Sequence, residues 1–299
     1  MIVLLGPTAV GKTELSLVLA EALGTEIVSA DSRQIYRELD IGTAKPSPAE
    51  LARVKHHFIN HLSPDAYYSA AKYAEEVSQL STLNSKLMVG GSMLYIDAVT
   101  KGIDDIPTID DDTRQLLKHK LETEGLGHLC EELRLLDPEY YSICDHRNTR
   151  RVVHALEICY MTGKPYSTFR QRKLSNSKSS NRPIVIGLRR ERQNLFDRIN
   201  ARVDIMVDQG LLKETETLIT KYGEVNALNT VGYKEMINVL KGDWKLDMAI
   251  ERMKKNTRVY AKKQMTWWQK DSDIIWFDAD TQSTEEITDK VLQLCSCMG

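Results

Sequence analysis

Gly6-Pro7-Thr8-Ala9-Val10-Gly11-Lys12-Thr13 meets every fixed position of the pattern G-x-x-x-x-G-K-[ST]. Its flanks are the ones that pattern needs: the apolar run Ile2-Val3-Leu4-Leu5 before it and the helix-like Glu14-Leu15-Ser16-Leu17-Val18-Leu19-Ala20-Glu21 after it. Gly6 and Gly11 let the backbone turn so that successive N–H groups and the N-terminus of the following helix face one anion. Lys12 adds a point charge, and the Thr13 hydroxyl can ligate Mg²⁺. The implied ligand of Gly6, Pro7, Thr8, Ala9, Val10, Gly11, Lys12 and Thr13 is a phosphate or diphosphate. ATP binding suits this loop as well as any other diphosphate does. A plain strand-to-helix turn with chance glycines would have no use for Lys-Thr directly after Gly11.

Outward from this loop, the first third of the chain reads as strand-turn-helix units, the mark of a parallel sheet covered by helices. A second apolar run, Glu26-Ile27-Val28-Ser29-Ala30, ends at Asp31-Ser32-Arg33-Gln34, and a third, Lys86-Leu87-Met88-Val89, ends at Gly90-Gly91-Ser92. Ligands of open parallel sheets collect beyond the carboxyl ends of the strands, so the three loops are expected to share one crevice. From about 110 to 182 the texture changes to charged helical segments at 111–123, 127–136 and 150–161. That insertion closes in a polar run, 174–181, expected to be mobile. Pro183-Ile184-Val185-Ile186-Gly187-Leu188 reads as a return to the sheet. Helices follow at 192–208, 211–221, 232–241 and 246–270, then a strand at 274–277 and a terminal helix. The expected fold class is α/β: a P-loop NTPase-like parallel sheet core flanked by helices, residues 1–109 and 183–299, with an all-helical insertion domain at 110–182.

With 299 residues, 42% of them apolar, the chain can bury a sizeable core. No apolar run approaches the roughly 18 residues of a membrane span. Cys130, Cys144, Cys159, Cys295 and Cys297 form no C-x-x-C pair, which argues against a zinc site and a disulfide framework and for a reducing, cytoplasmic setting. The formal charge of −2 hides a strong asymmetry. Residues 164–192 hold nine Lys or Arg against one acid, and residues 252–270 hold seven against none. Such basic stretches on an acidic body suit a polyanion partner; solvated lysine-rich faces are the other reading.

Asp31 ends the second strand beside the phosphate loop, where a carboxylate could orient Mg²⁺, take a proton from a nucleophile, or cap the next turn. A nucleotide hydrolase needs a magnesium-holding acid at the end of a neighbouring strand, yet the third strand ends in Gly90-Gly91. Asp278, after the last strand, reads as a turn residue. Arg198 and Arg202 stand i, i+4 on one helix face and could both reach a diphosphate, or could form surface ion pairs with Asp197 and Asp204. Thr43 and Lys45 offer a hydroxyl and an amine near the same crevice. Tyr260, Trp267 and Trp268 interleave with the basic residues of 252–270, a pattern for an RNA loop or, for the aromatics, for a core.

Together, Gly6-Pro7-Thr8-Ala9-x-Gly11-Lys12-Thr13, Asp31-Ser32-x-Gln34-x-Tyr36, Asp40-Ile41-Gly42-Thr43-Ala44-Lys45-Pro46, Gly90-Gly91-Ser92-Met93-Leu94-Tyr95 and Val231-Gly232-Tyr233-Lys234-Glu235 resemble the bacterial tRNA dimethylallyltransferases. The resemblance covers nearly the whole chain. It implies transfer of a dimethylallyl group from dimethylallyl diphosphate to N6 of adenine 37, beside the tRNA anticodon. It further implies that Lys12, Thr13 and Mg²⁺ hold the leaving diphosphate, that Arg198 or Arg202 assists, and that Asp31 accepts the N6 proton. Contacts to the anticodon stem-loop are implied for Asp31, Ser32, Arg33, Gln34 and Ser92. In the insertion they are implied for Arg114, Arg150, Arg151, Val152, Val153 and His154. The expected form is a monomer. Val10 stands where the family commonly has a small or polar residue, which should alter the loop's lining, and Ser92 replaces a threonine. The zinc-finger ligands of eukaryotic relatives are missing from this sequence. A P-loop nucleotide or metabolite kinase is the competing reading.

Overall fold

The computed structural model describes residues 1–80, 86–104, 106–170 and 183–296. The polar run 174–181 lies outside them, as do Arg172, Lys173, Lys178 and Arg182 of the first basic stretch. Two compact units divide the chain: Met1–Thr100 with Ser179–Gly299, and Lys101–Lys178.

In the first unit the elements run β1 (Ile2–Leu5), α1 (Lys12–Leu23), β2 (Glu26–Ala30), α2 (Pro48–Arg53), β3 (His56–His57), α3 (Ala70–Gln79), β4 (Lys86–Gly90) and α4 (Met93–Thr100). After the second unit come β5 (Ile184–Arg189), α8 (Arg192–Asp208), α9 (Leu211–Tyr222), α10 (Tyr233–Leu240), α11 (Leu246–Trp268), β6 (Ile275–Asp278) and α12 (Thr284–Ser296). The six strands form one parallel sheet in the order β3-β2-β4-β1-β5-β6.

The alternation of side chains along each strand divides the core in two. Val3, Leu5, Val28, Ala30 and Met88 point into one buried cluster, and Ile2, Leu4, Ile27 and Leu87 into the other. Both faces are therefore apolar, which is why these strands read as continuous hydrophobic runs rather than as alternating ones. Each fully buried aliphatic side chain contributes roughly 1.5–3 kcal/mol, so the central strands hold the sheet far more firmly than its edge. At that edge β3 has two residues, paired to Ile27 and Val28, with Glu26 bonded to the His57 ring across the strands. A two-residue strand carries no readable period, and sequence reasoning passes over it. The helix α2 did leave a signal, the capping box Ser47-x-x-Glu50 with Pro48 at the first turn.

Among its described residues the second unit has helices and no strand: α5 (Asp111–Leu136), α6 (Pro138–Ile143), α7 (Thr149–Thr162) and a 3-10 turn at Tyr166–Phe169. The segments read as 111–123 and 127–136 are one helix kinked at Gly125, whose φ of 80° only glycine adopts without strain. The unit begins at Lys101 rather than at 110, because Ile106 and Ile109 pack into the helical cluster built on Leu117, Leu133 and Leu156.

Candidate active site

The crevice lies at the carboxyl ends of the strands, with Arg198 and Arg202 of α8 and Tyr260 and Gln264 of α11 completing its lining. β1 delivers the phosphate loop, β2 delivers Asp31, β4 delivers Gly90 and Gly91, and β5 delivers Arg190. Gly6 takes φ 153°, and a Cβ there would lie 2.8 Å from the Leu188 carbonyl, so the loop can fold against β5 only with glycine at that position. Ala9, at φ 64°, is the loop's non-glycine residue in the left-handed region. Val10 is among the residues that line the cavity at this loop, and its side chain is fully buried in the core cluster that holds Leu15 and Leu188.

Four basic side chains converge on this loop. The Lys12 ammonium donates to the Gly6 and Pro7 carbonyls at 2.9 and 2.8 Å. Arg190 Nε donates to Val10 O at 2.8 Å, and Arg198 Nε to Ala9 O at 2.9 Å. Arg202 Nη1 lies 3.4 Å from Thr8 Oγ1. Asp280 fixes Arg190 at 2.6 Å. Asp197 takes the Gln193 amide and Asp204 pairs with Lys254, so neither carboxylate competes for Arg198 or Arg202. Lys12 as a residue keeps part of its surface, but its ammonium sits down among the loop atoms. Burial there, and Arg202 beside it, lower its pKa to about 7 against a smaller opposing pull from Asp31. Burial also lowers the pKa of Arg202 and Arg198, each further depressed by a neighbouring arginine. Asp31 and Asp280 offset only part of this positive charge, and a bound anion would lower its cost further.

Lys12, Thr13, Asp31, Arg198 and Arg202 line one cavity of about 300 Å³. A second, of about 260 Å³, is lined by Ser32, Arg33, Ser92, Val203, Met206 and Met253. Thr8, Asp31, Arg202 and Tyr260 belong to both. Asp31 Oδ1 accepts the N–H groups of Arg33 and Gln34 at 2.8 and 3.2 Å, an Asx turn that fixes the carboxylate at the junction of the two spaces. The capping and proton-accepting readings of Asp31 are thus compatible. Ser92 Oγ accepts the Ser32 N–H at 2.9 Å and ties the ends of β2 and β4 together.

Sequence reasoning missed Gln264 on α11, which is 1% exposed. Its Oε1 accepts the Thr8 N–H at 2.9 Å, and its Nε2 donates to the Gly91 carbonyl at 2.8 Å. A Cβ on Gly91 would come within 2.5 Å of Nε2, so Gly91 is the residue that admits this strut. Arg190 and Asp280 were also missed. Only a tertiary contact distinguishes them from surface charges.

Other readings are corrected. Lys45 does not face the crevice: its ammonium is held by Tyr36 O at 3.0 Å and by Asp40 and Asn60, both at 2.6 Å. Thr43 lines both cavities, as its place near the crevice suggested, while its Oγ1 donates to the Leu39 carbonyl at 2.6 Å. Glu214 accepts the N–H groups of Asp40, Ile41 and Gly42, and the Tyr233 hydroxyl donates to it at 2.6 Å. The Asp40–Pro46 and Val231–Glu235 blocks therefore brace one another while Thr43, Ala44, Pro46 and Val231 line the cavities. Gln34 donates to the Thr43 and Ala44 carbonyls and belongs to the same bracing while still lining the first cavity. Asp278 behaves as the turn residue expected, accepting the Asp280 N–H at 3.0 Å.

In the helical unit, Arg150 and Arg151 are exposed, Arg114 lies 3.8 Å from Asp111, and His154 lies 3.5 Å from Glu157. Val152 is wholly buried in that unit's core, so its side chain is not presented to a ligand, while Val153 packs against the core and is only partly buried. On α11 the two tryptophans separate: Trp268 is 1% exposed and Trp267 43%. No helix among the described residues is long and apolar enough to cross a membrane.

The model of the family of IPP transferases matches residues 34–271. The chain is 56% identical over 288 residues to tRNA dimethylallyltransferase 1 of Phocaeicola vulgatus, covering 95% of both chains. It is 54% identical to tRNA dimethylallyltransferase 1 of Bacteroides fragilis, covering 94% of both. Among solved structures it superposes on the tRNA delta(2)-isopentenylpyrophosphate transferase of Staphylococcus epidermidis with a TM-score of 0.72 at 32% identity, covering 100% of this chain and 99% of that one. A eukaryotic dimethylallyltransferase acting on tRNA aligns with a TM-score of 0.81 at 27% identity, over 99% of this chain and 79% of its own. The extent and identity of these matches place the chain in the IPP transferase family.

Proposed function

We propose that this chain transfers the dimethylallyl group of dimethylallyl diphosphate to N6 of adenine 37, beside the anticodon of tRNA, and releases diphosphate. The observation that carries this reading is the pair of adjoining cavities with Asp31 and Arg202 at their junction. The phosphate loop, Lys12, Arg198 and Arg202 take the diphosphate, and the second cavity takes the base. An adenine amine is a poor nucleophile, so most of the driving force must come from charge developing on the leaving oxygen. Prearranged cations and backbone N–H groups supply that stabilisation. The allylic C–O bond breaks with its electron pair going to diphosphate, the N6–C bond forms, and Asp31 accepts the N6 proton. The base reaches the cavity by leaving its stack, which costs less in a tRNA loop than in a duplex.

The Thr13 hydroxyl and the Asp31 carboxylate line the same cavity, a hard-oxygen pair of the kind that suits Mg²⁺. Bound there, Mg²⁺ would neutralise charge on the diphosphate. The exposed Lys255, Lys262, Lys263 and Lys270, in a stretch without acids, form the face for the tRNA backbone. We further propose that Arg114, Arg150, Arg151 and His154 add anticodon stem-loop contacts from the helical unit, and that the enzyme acts as a cytoplasmic monomer.

A kinase is not favoured, since the strands beside β1 end in Gly90 and Arg189 and neither offers an acid for the metal of a nucleotide. The test is diphosphate release from dimethylallyl diphosphate with Mg²⁺ and no nucleoside triphosphate. Release that requires unmodified tRNA supports the proposal. No release, together with phosphorylation of a small metabolite from ATP, would replace it with the kinase.

A further inference from the structure

One face of α11 is continuous from the core to the surface. Ala249, Met253, Thr257, Tyr260, Gln264 and Trp267 follow at intervals of four, four, three, four and three, the spacing of a single helix face. Its members change surroundings in order. Ala249 is wholly buried, Met253 and Thr257 line the second cavity, Tyr260 lines both cavities, and Gln264 lines the first. Tyr260 is 37% exposed at the junction of the two cavities, and Gln264 beyond it is 1% exposed. Trp267 is the next residue on this face, 43% exposed and in neither cavity. At about 1.5 Å per residue it stands roughly 10 Å beyond Tyr260 along the helix.

The ring is not loose. Its indole N–H donates to Asp97 Oδ2 of α4 at 2.9 Å, which fixes the orientation of an aromatic surface facing water. Leu94, one turn before Asp97 on α4, is 62% exposed. Lys263 and Lys270, four residues before Trp267 and three after it, are exposed as well, and no acid lies between 252 and 270. A held aromatic ring between cations, roughly 10 Å along the helix from Tyr260 at the junction of the two cavities, is within reach of a nucleotide joined to the base in the second one. Its base can stack on the ring while its phosphates meet the lysines.

We infer that Trp267 is the stacking platform for the nucleotide immediately next to the target adenine, on its 5′ or 3′ side. This rests on the proposed tRNA prenyl transfer. Trp268, its buried neighbour, anchors the helix and takes no part.

The test is a cycle between protein and RNA, using wild-type protein, Trp267→Ala and Trp267→Phe with intact tRNA and with tRNA abasic at either flanking position. Trp267→Ala should lower kcat/KM for intact tRNA about tenfold, while KM for dimethylallyl diphosphate and the melting temperature stay put. Trp267→Phe, which keeps a ring face, should recover most of the loss. At one of the two positions the abasic tRNA should cost wild type about tenfold and Trp267→Ala less than twofold. Should Trp267→Ala melt lower, Trp267→Leu, apolar but without a ring face, carries the same expectation. A Trp267→Ala enzyme within twofold of wild type on intact tRNA overturns the inference, as do equal abasic penalties in both proteins at both positions. Failure of wild type to prenylate intact tRNA overturns the function itself, and the inference with it.

Discussion

Raising the pH from 7 to 9 should weaken the binding of dimethylallyl diphosphate to the protein about fiftyfold. The cause is Lys12, whose ammonium is pressed among the loop carbonyls beside Arg202 and has its pKa lowered to about 7. In the free protein it is about half neutral at pH 7 and almost wholly neutral at pH 9. A diphosphate seated in the loop favours the charged form and returns the pKa toward the ordinary 10.5. Binding therefore takes up a proton, and the affinity is full below the free pKa and lost as the pH rises through it. With the bound pKa well above 9, the apparent dissociation constant grows as 1 + 10^(pH − 7), roughly 2 at pH 7 and roughly 100 at pH 9. Above pH 7 the terminal phosphate, with its second pKa of about 6, is already ionised and offers no compensating trend. Calorimetric titration in two buffers of different ionisation enthalpy reads the affinity and the proton count together. Lys12→Arg, whose guanidinium stays charged, should bind with a flat pH profile. A wild-type affinity that does not change between pH 7 and 9, with no proton taken up, would refute this account of Lys12.

Asp31→Asn keeps an acceptor for the turn at Arg33 and Gln34 but removes the base, so single-turnover transfer should fall roughly 10²–10⁴-fold with tRNA affinity little changed; near-normal transfer removes Asp31 from the proton step. Gln264→Leu leaves the Thr8 N–H without its partner and the Gly91 carbonyl with only the Tyr260 hydroxyl at 3.5 Å, and unfolding free energy should drop by about 1–3 kcal/mol. An unchanged denaturation midpoint would show that the strut is dispensable. Neutralising Lys262 and Lys263 together should reduce the slope of log tRNA affinity against log salt by roughly 1.4–1.8, and an unaltered slope would assign both to an ordinary solvated surface.

What could be read from sequence was what repeats locally. The apolar runs at β1, β2, β4 and β5 and the glycine pattern at 6–13 each carry their meaning within about ten residues, and these elements lie where the pattern sets them. Asp31 was legible for the same reason, standing at a strand end beside the loop. The periodicity of α8 put Arg198 and Arg202 on one face, but not which partner that face meets. The structure turns it to Ala9 and Thr8. Gln264 was illegible because its meaning lies in two contacts more than 170 positions away in sequence. Lys45 misleads in the opposite sense. A charged residue in a recognisable block invites a ligand, yet Lys45 is consumed, together with Glu214 of α9, in holding the Asp40–Lys45 loop. Trp267 and Trp268 are adjacent and identical in type, and only the packing of α11 decides that one is core and the other surface.

The central claim is that the loop's diphosphate is the leaving group of a prenyl donor and that the acceptor is an adenine amine. The most direct measurement is mass spectrometry of tRNA digested after incubation with the protein, Mg²⁺ and dimethylallyl diphosphate, with no nucleoside triphosphate present. The account predicts one added five-carbon unit on the adenine beside the anticodon, and no addition when guanine replaces that adenine, since guanine has no N6 amine. Unmodified adenine in the first tRNA, or an equal adduct on the guanine-substituted one, would contradict it.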